Sequence, residues 1–216
     1  MSRLGHLARE KSCLRESGSL NKDEGKIMKM LKTGCWLALA VLLTGCWQKS
    51  VHSFCTEKDA VSEPKLIGTW TEDAEPEGNR TTWTFAALND KRFGVVMQNK
   101  DEKYEFEGTL FKLGSERFLD LEGKTRSMST IPSHHLLRVE LGADLKIAML
   151  NTEWVQKWLR ANPDALAHIA LVSTEHRENR EKDELVLSAD TKALQKFILA
   201  HKDDKEFFVE PVTMKK

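Results

Sequence analysis

Residues 103–113 read Lys-Tyr-Glu-Phe-Glu-Gly-Thr-Leu-Phe-Lys-Leu. Tyr104, Phe106 and Leu110 interleave with Glu105, Glu107 and Thr109, a period of two that sends apolar side chains to one face of an extended chain and polar ones to the other. A sheet with one buried face and one wet face carries this pattern. Upstream, Trp83 and Phe85 alternate with Thr82 and Thr84 in the same way. Short apolar or alternating runs recur on both sides, at 66–70, 81–87, 93–98, 118–121, 135–141 and 145–150. Between them stand Asn89-Asp90, Asn99-Lys100-Asp101, Gly114-Ser115 and Gly142-Ala143-Asp144. Such turn residues at short intervals predict consecutive antiparallel hairpins. Seven strands with right-handed twist curl toward a barrel or half-barrel, which also hides sheet edges.

After Asn151 the period changes. Trp154, Val155, Trp158 and Leu159 fall on one helical face, and Asn162-Pro163-Asp164 is expected to stop that helix and start a second, short one. Residues 184–188 read as a strand. Asp190 is placed to cap a last helix, in which Leu194, Phe197, Ile198 and His201 follow the i, i+3, i+4, i+7 rule. The expected fold is α+β, a curved antiparallel meander sheet covered by C-terminal helices, in one domain over 64–216.

The first part of the chain is of another kind. From Thr33 to Gly45 no residue is charged, and Lys26, Lys29 and Lys32 precede the run. A basic segment followed by an apolar stretch well short of the roughly 20 residues that span a bilayer reads as a secretion signal. A 45-residue presequence exceeds the usual length of about 15–30 residues, and Met28 or Met30 is a better start. We read 1–27 as an extension upstream of the true start. Residues 47–63, rich in Ser, Lys, Glu and His, read as a flexible tether ending at Pro64 and spanning about 20–25 Å.

The apolar run ends in Leu43-Thr44-Gly45-Cys46. This resembles the lipobox of bacterial lipoproteins at all four positions. The resemblance implies cleavage between Gly45 and Cys46, a diacylglyceryl thioether on the Cys46 sulfur, and acylation (palmitate or another chain) of the freed amine. Two or three chains hold a protein to a membrane far better than one, since each buried CH2 contributes about 0.8 kcal/mol. The mature chain would begin Cys46-Trp47. Because Trp47 is not Asp, the resemblance favours the outer membrane over the inner one.

Charge and cysteines narrow the partners. The full chain balances 33 Lys+Arg against 33 Asp+Glu, and the mature part, with 25 basic and 29 acidic side chains, is mildly acidic. That sign opposes nucleic acid as a partner and adsorption to anionic lipid. Of the 4 cysteines, only Cys46 and Cys55 survive export, and a lipidated Cys46 leaves Cys55 as a lone thiol, read as an incidental tether residue.

Gly68-Thr69-Trp70 resembles the Gly-x-Trp of lipocalins, whose Trp packs at the closed end of an eight-stranded barrel. It implies a small apolar ligand, with Trp70, Trp83, Phe85, Tyr104 and Phe106 lining a pocket; the alternative is that these side chains simply fill the core. The Thr-Asp-Tyr element of lipocalins is missing. His134 and His135 point to opposite faces of one strand and cannot share a metal ion, and His168 and His176 sit in no metal-binding frame. Residues 175–184 read as a solvated charged loop or frayed helix rather than a substrate clamp. No Gly-x-Ser-x-Gly, Gly-x-x-x-x-Gly-Lys or Gly-x-Gly-x-x-Gly occurs. We therefore expect no cofactor, no metal and no catalytic constellation. The sequence points to a lipid-anchored cell-envelope protein whose domain acts by binding or structural association without catalysis, with an envelope protein or a small apolar ligand as partner; the alternatives are a lipocalin-like carrier of a small apolar ligand and a small envelope hydrolase of unrecognised site.

Overall fold

The computed structural model describes residues 47–73, 80–123, 133–171 and 184–216. The run read above as a signal, Gly45 and Cys46, the charged run from Glu175 and His176 lie outside the described residues. Among the described residues ten strands and two α-helices follow one another: β1 (Gly68–Glu72), β2 (Thr82–Ala87), β3 (Arg92–Gln98), β4 (Lys103–Leu113), β5 (Glu116–Gly123), β6 (His134–Leu141), β7 (Leu145–Met149), α1 (Thr152–Ala161), β8 (His168–Leu171), β9 (Glu184–Leu187), α2 (Thr191–His201) and β10 (Val212–Lys215).

Eight strands close into an antiparallel barrel in the order β1-β10-β7-β6-β5-β4-β3-β2, with β2 returning to β1. The turn chemistry is that expected of hairpins. Asn89 Oδ1 accepts from the amides of Lys91 and Arg92, each at 2.9 Å, and Asn99 Oδ1 accepts from Asp101 and Glu102 at 2.9 and 2.7 Å. Gly114, at φ +64°, takes the left-handed position of the tight β4–β5 turn, where a Cβ would be strained. The closing strand, β10, comes from the last residues of the chain and pairs Met214 with Leu145 on β7 and with Glu72 on β1.

Alternation sorts the wall into two faces. Inside stand Trp70, Trp83, Phe85, Phe93, Val95, Met97, Phe106, Leu110, Leu119, Leu121, Leu137, Val139, Leu145, Ile147 and Met214 in one apolar cluster. Gly108 also faces inward, and a Cβ there would meet Val95 Cγ2 at 2.9 Å and the ends of Leu119 and Leu121 at 3.2 and 3.3 Å. The interior is full at this level. A second cluster lies on the outer wall, where Phe111, Phe118, Leu136 and Ala148 pack against Val155 and Leu159 of α1, Leu194, Phe197 and Ile198 of α2, Leu185 and Leu187 of β9, and Phe207. The helices thus cover the barrel from outside. Their N-termini are capped by Asn151 Oδ1, from Trp154 N at 3.2 Å, and by Asp190 Oδ1, from Ala193 N at 2.8 Å.

Three expectations need correction. Pro163 does not open a short helix: residues 163–165 form a turn, and a strand, β8, follows. Residues 64–66 form a single 3-10 turn, so the first strand begins at Gly68. Most consequentially, 47–63 is not a tether. The compact unit runs from Trp47 to Lys216, and Phe54 at 0 % exposure anchors the segment in the outer cluster. Ser50 exchanges backbone bonds of 2.9 and 2.8 Å with His134 on β6, while Lys49 and Val51 bond Leu187 on β9 at 2.9 and 2.8 Å. One extended stretch stitches the β8–β9 hairpin to the barrel wall. Its reading as coil failed because the anchors are isolated, one Phe and two small polar residues, without the repeat that marks an element.

Candidate functional site

Trp70, Trp83, Phe85 and Phe106 belong to the packed interior, whereas Tyr104 stands 38 % exposed at the rim. Trp70 donates its indole N–H to the carbonyl of Leu66 at 2.8 Å, and the Lys216 ammonium lies 4.9 Å from its ring centre. At the end of the barrel marked by Trp83 and Phe106, Trp47 enters the mouth. Its ring stacks on both, at 6.2 and 5.7 Å between centroids, and meets the edge of His135 at 5.3 Å. An apolar guest inside this barrel would have to displace these side chains.

A groove of about 640 Å³ lies instead on the outer wall, between 53–60 and the strands β3 to β6. Its floor is made of outward-facing strand residues. Register sets Thr109 beside Asp120, and Glu107 beside Glu122 beside His134. Two carboxylates directly opposed across a ladder repel. The Arg92 guanidinium, bonded to Glu107, offsets part of that repulsion. The opposite wall is held by α2, from which Thr191 Oγ1 donates to Ser53 O at 2.8 Å and Gln195 Nε2 to Phe54 O at 3.1 Å. Asp59 fixes the next turn by accepting from Thr56 Oγ1 and N at 2.7 and 2.9 Å, and these bonds hold its carboxyl below the usual range.

Asp120 is the centre. Only 3 % exposed, its carboxylate accepts from the Ser53 hydroxyl, from Phe54 N at 3.1 Å and, on the other oxygen, from His134 Nδ1 at 3.0 Å. Carrying the proton on Nδ1 leaves Nε2 as the lone-pair nitrogen of neutral His134. Burial works against the imidazolium, but the hydrogen bond and charge of Asp120, with the charge of Glu122, outweigh it and raise the pKa. His135, the next residue, faces inward. Burial drives its pKa down to about 4, with Nδ1 3.3 Å from Gln48 O. The two adjacent histidines thus stand on opposite faces of β6, His134 in the outer groove and His135 beside Trp47 and Phe106.

Cys55 is half-buried in this groove, not on a tether, with Sγ 3.6 Å from Ser53 Oγ and 3.9 Å from Asp120 Oδ2. Burial first, and the charge of Asp120 next, push its thiol up to about 12. A protonated thiol is a poor nucleophile. Asp120 and His134 form the carboxylate–imidazole half of an acyl-transfer triad, but the hydroxyl of Ser53 and the thiol of Cys55 both contact the carboxylate. The arrangement orients and accepts hydrogen bonds. Sequence reading missed Ser53, Asp120 and His134 as a group because they lie 67 and 14 residues apart, on separate elements.

His168 starts β8, bonded through Nδ1 to Leu166 O at 2.8 Å. Among the described residues no group of three metal-ligating side chains converges, and no helix is long and apolar enough to cross a membrane. No family model matches the chain, and neither a curated protein nor a solved structure is similar enough to it to count as a match.

Proposed function

We propose that the mature chain is a lipid-anchored protein of the bacterial cell envelope, held in the outer membrane through Cys46, whose barrel domain acts by binding. The lipobox of residues 43–46 supports the anchor. The binding surface is the outer groove, and the observation that carries this reading is the state of its nucleophiles: Ser53 and Cys55 are bound to a carboxylate, and the Cys55 thiol is raised to about 12. The groove offers Lys91 and Arg92 at one end and Glu107, Asp120 and Glu122 along its floor. Such a surface suits a polar partner carrying both charges, such as a segment of another envelope protein, better than an apolar ligand. Metabolic labelling with palmitate tests the anchor: label and membrane partition should both vanish in Cys46→Ser, and a wild-type chain that carries no lipid refutes it.

A second reading has its own observation. Five carboxylates, Glu57, Asp90, Glu107, Asp120 and Glu122, line one groove with His134, as in a hydrolase that uses paired acids. Turnover of an ester, peptide or glycoside that is lost in both Glu122→Gln and His134→Asn would establish that reading over binding.

A further inference from the structure

The seating of Trp47 decides how such an anchored domain meets its membrane, an inference that rests on the lipidation of Cys46 proposed above. Residue 47 is the first after the lipobox cysteine, and it is already part of the fold. Trp47 stacks between Trp83 and Phe106, Gln48 is buried and donates to Leu185 O at 2.9 Å, and Ser50 is paired to β6 through His134. No free residue separates anchor from barrel. Consecutive α-carbons stand about 3.8 Å apart, so a thioether at residue 46 places the acylated glycerol within roughly 10 Å of the Trp47 backbone. A coil of 17 residues would have let the domain roam by 20 Å or more.

We propose that the lipidated protein sits flush on the bilayer, with the barrel end that holds Trp47 against the lipid headgroups. The topology names the surface in contact. Trp83 lies one residue into β2, Phe106 three into β4 and His135 one into β6, so this mouth is the end where β3 turns into β4 at Asn99–Glu102, with half-exposed Tyr104 at the rim. An indole and a phenol at headgroup depth are the side chains that interfaces favour. Lys100 and Lys103 beside Asp101 and Glu102 cancel in charge, so the acyl chains rather than electrostatics supply the hold. The β2–β3 turn at Asn89–Arg92 lies at the other end, about 15 Å away for the six paired residues from Thr82 to Ala87 at about 3.3 Å each, less the strand tilt. That turn forms the Lys91–Arg92 end of the groove, so this end faces the aqueous side, while His134 at the start of β6 stands toward the membrane.

The test uses the full chain, matured in its native host and returned to phosphatidylethanolamine/phosphatidylglycerol vesicles containing a headgroup-bound quencher. A fluorescent amino acid is placed at Lys100 in one variant and at Asp90 in another. Intact-mass analysis first confirms the lipid on residue 46. With the lipid present, the probe at 100 should be quenched at least twofold more than the probe at 90. A flexible insert of 15 Gly/Ser residues between Cys46 and Trp47 leaves the fold untouched and should bring the two probes to equal quenching, since it restores about 20 Å of freedom. Equal quenching in the lipidated chain without the insert overturns the flush seating and leaves the anchor standing, as does a twofold difference that survives the insert. A bare sulfur by mass overturns the anchor, and the seating with it.

Discussion

Gly108 and Gly94 stand on neighbouring strands of one wall, and replacing each by Ala measures whether the barrel is full. Gly108 points inward, where a new Cβ would lie 2.9 Å from Val95 Cγ2, 3.2 Å from Leu119 Cδ1 and 3.3 Å from Leu121 Cδ2. Val95 is β-branched and stiff at χ1, so it cannot swing aside cheaply, and the two leucines are themselves held by the core. Gly94 points outward, where the nearest atom, Leu88 Cδ2, is at an ordinary 3.7 Å. Both changes remove the flexibility of a strand glycine, a gain of about 0.5–1 kcal/mol that cancels between them. What remains is the cost of overpacking, about 1–3 kcal/mol. With a urea dependence of about 1–3 kcal/mol per molar, Gly108→Ala should unfold about 1 M earlier than Gly94→Ala when tryptophan fluorescence follows the unfolding of Trp47–Lys216. Equal midpoints would refute the packed interior and restore a ligand cavity as the working idea.

Other consequences can be checked on the same domain. Asp120→Ala strands the buried amide of Phe54 together with Ser53 and His134, and should cost about 2–4 kcal/mol in chemical unfolding. Asp120→Asn keeps an acceptor and should cost about half as much. The two adjacent histidines should bend stability against pH in opposite directions. His134, raised above 6.5, contributes fully below pH 6.5 and loses its contribution as pH rises through the raised value. His135, lowered from 6.5 to about 4, contributes fully above 6.5 and loses about 3 kcal/mol as pH falls toward 4. The contribution of the pair therefore peaks near pH 6.5; His134→Asn should flatten the alkaline limb and His135→Phe the acid one, and a wild-type profile unchanged by either substitution sinks the assignment. Cys55, at about 12 against a usual 9.0, should react with a disulfide reagent at pH 8 roughly a thousandfold more slowly than in the unfolded chain, and a fast native reaction would reopen thiol chemistry in the groove.

Local alternation sufficed for the barrel wall. Period-two patterning around Trp83 and Phe106 placed seven strands, and Asn89, Asn99 and Gly114 marked their turns, because each of these signals acts within a few residues. Asp190 as a helix cap was legible for the same reason. The segment from Trp47 to Glu63 was not. Its burial comes from partners far away in sequence, Gln48 with Leu185, Ser50 with His134, Ser53 with Asp120, and nothing in its own spacing announces them. The same holds for β10, four residues long with one buried side chain, which becomes a strand only because β1 and β7 leave it a place.

The sequence by itself determined a curved antiparallel sheet with helices behind it, and it holds the basic, apolar and lipobox-like run on which the proposed anchor rests, since each of these patterns is written in neighbouring residues. Tertiary structure alone decided that the barrel closes and fills, that the stretch after Cys46 is masonry rather than leash, and that Ser53, Cys55, Asp120 and His134 share one groove. Closure and convergence depend on which distant segments meet, and those meetings are selected by packing and hydrogen bonds summed over the whole fold.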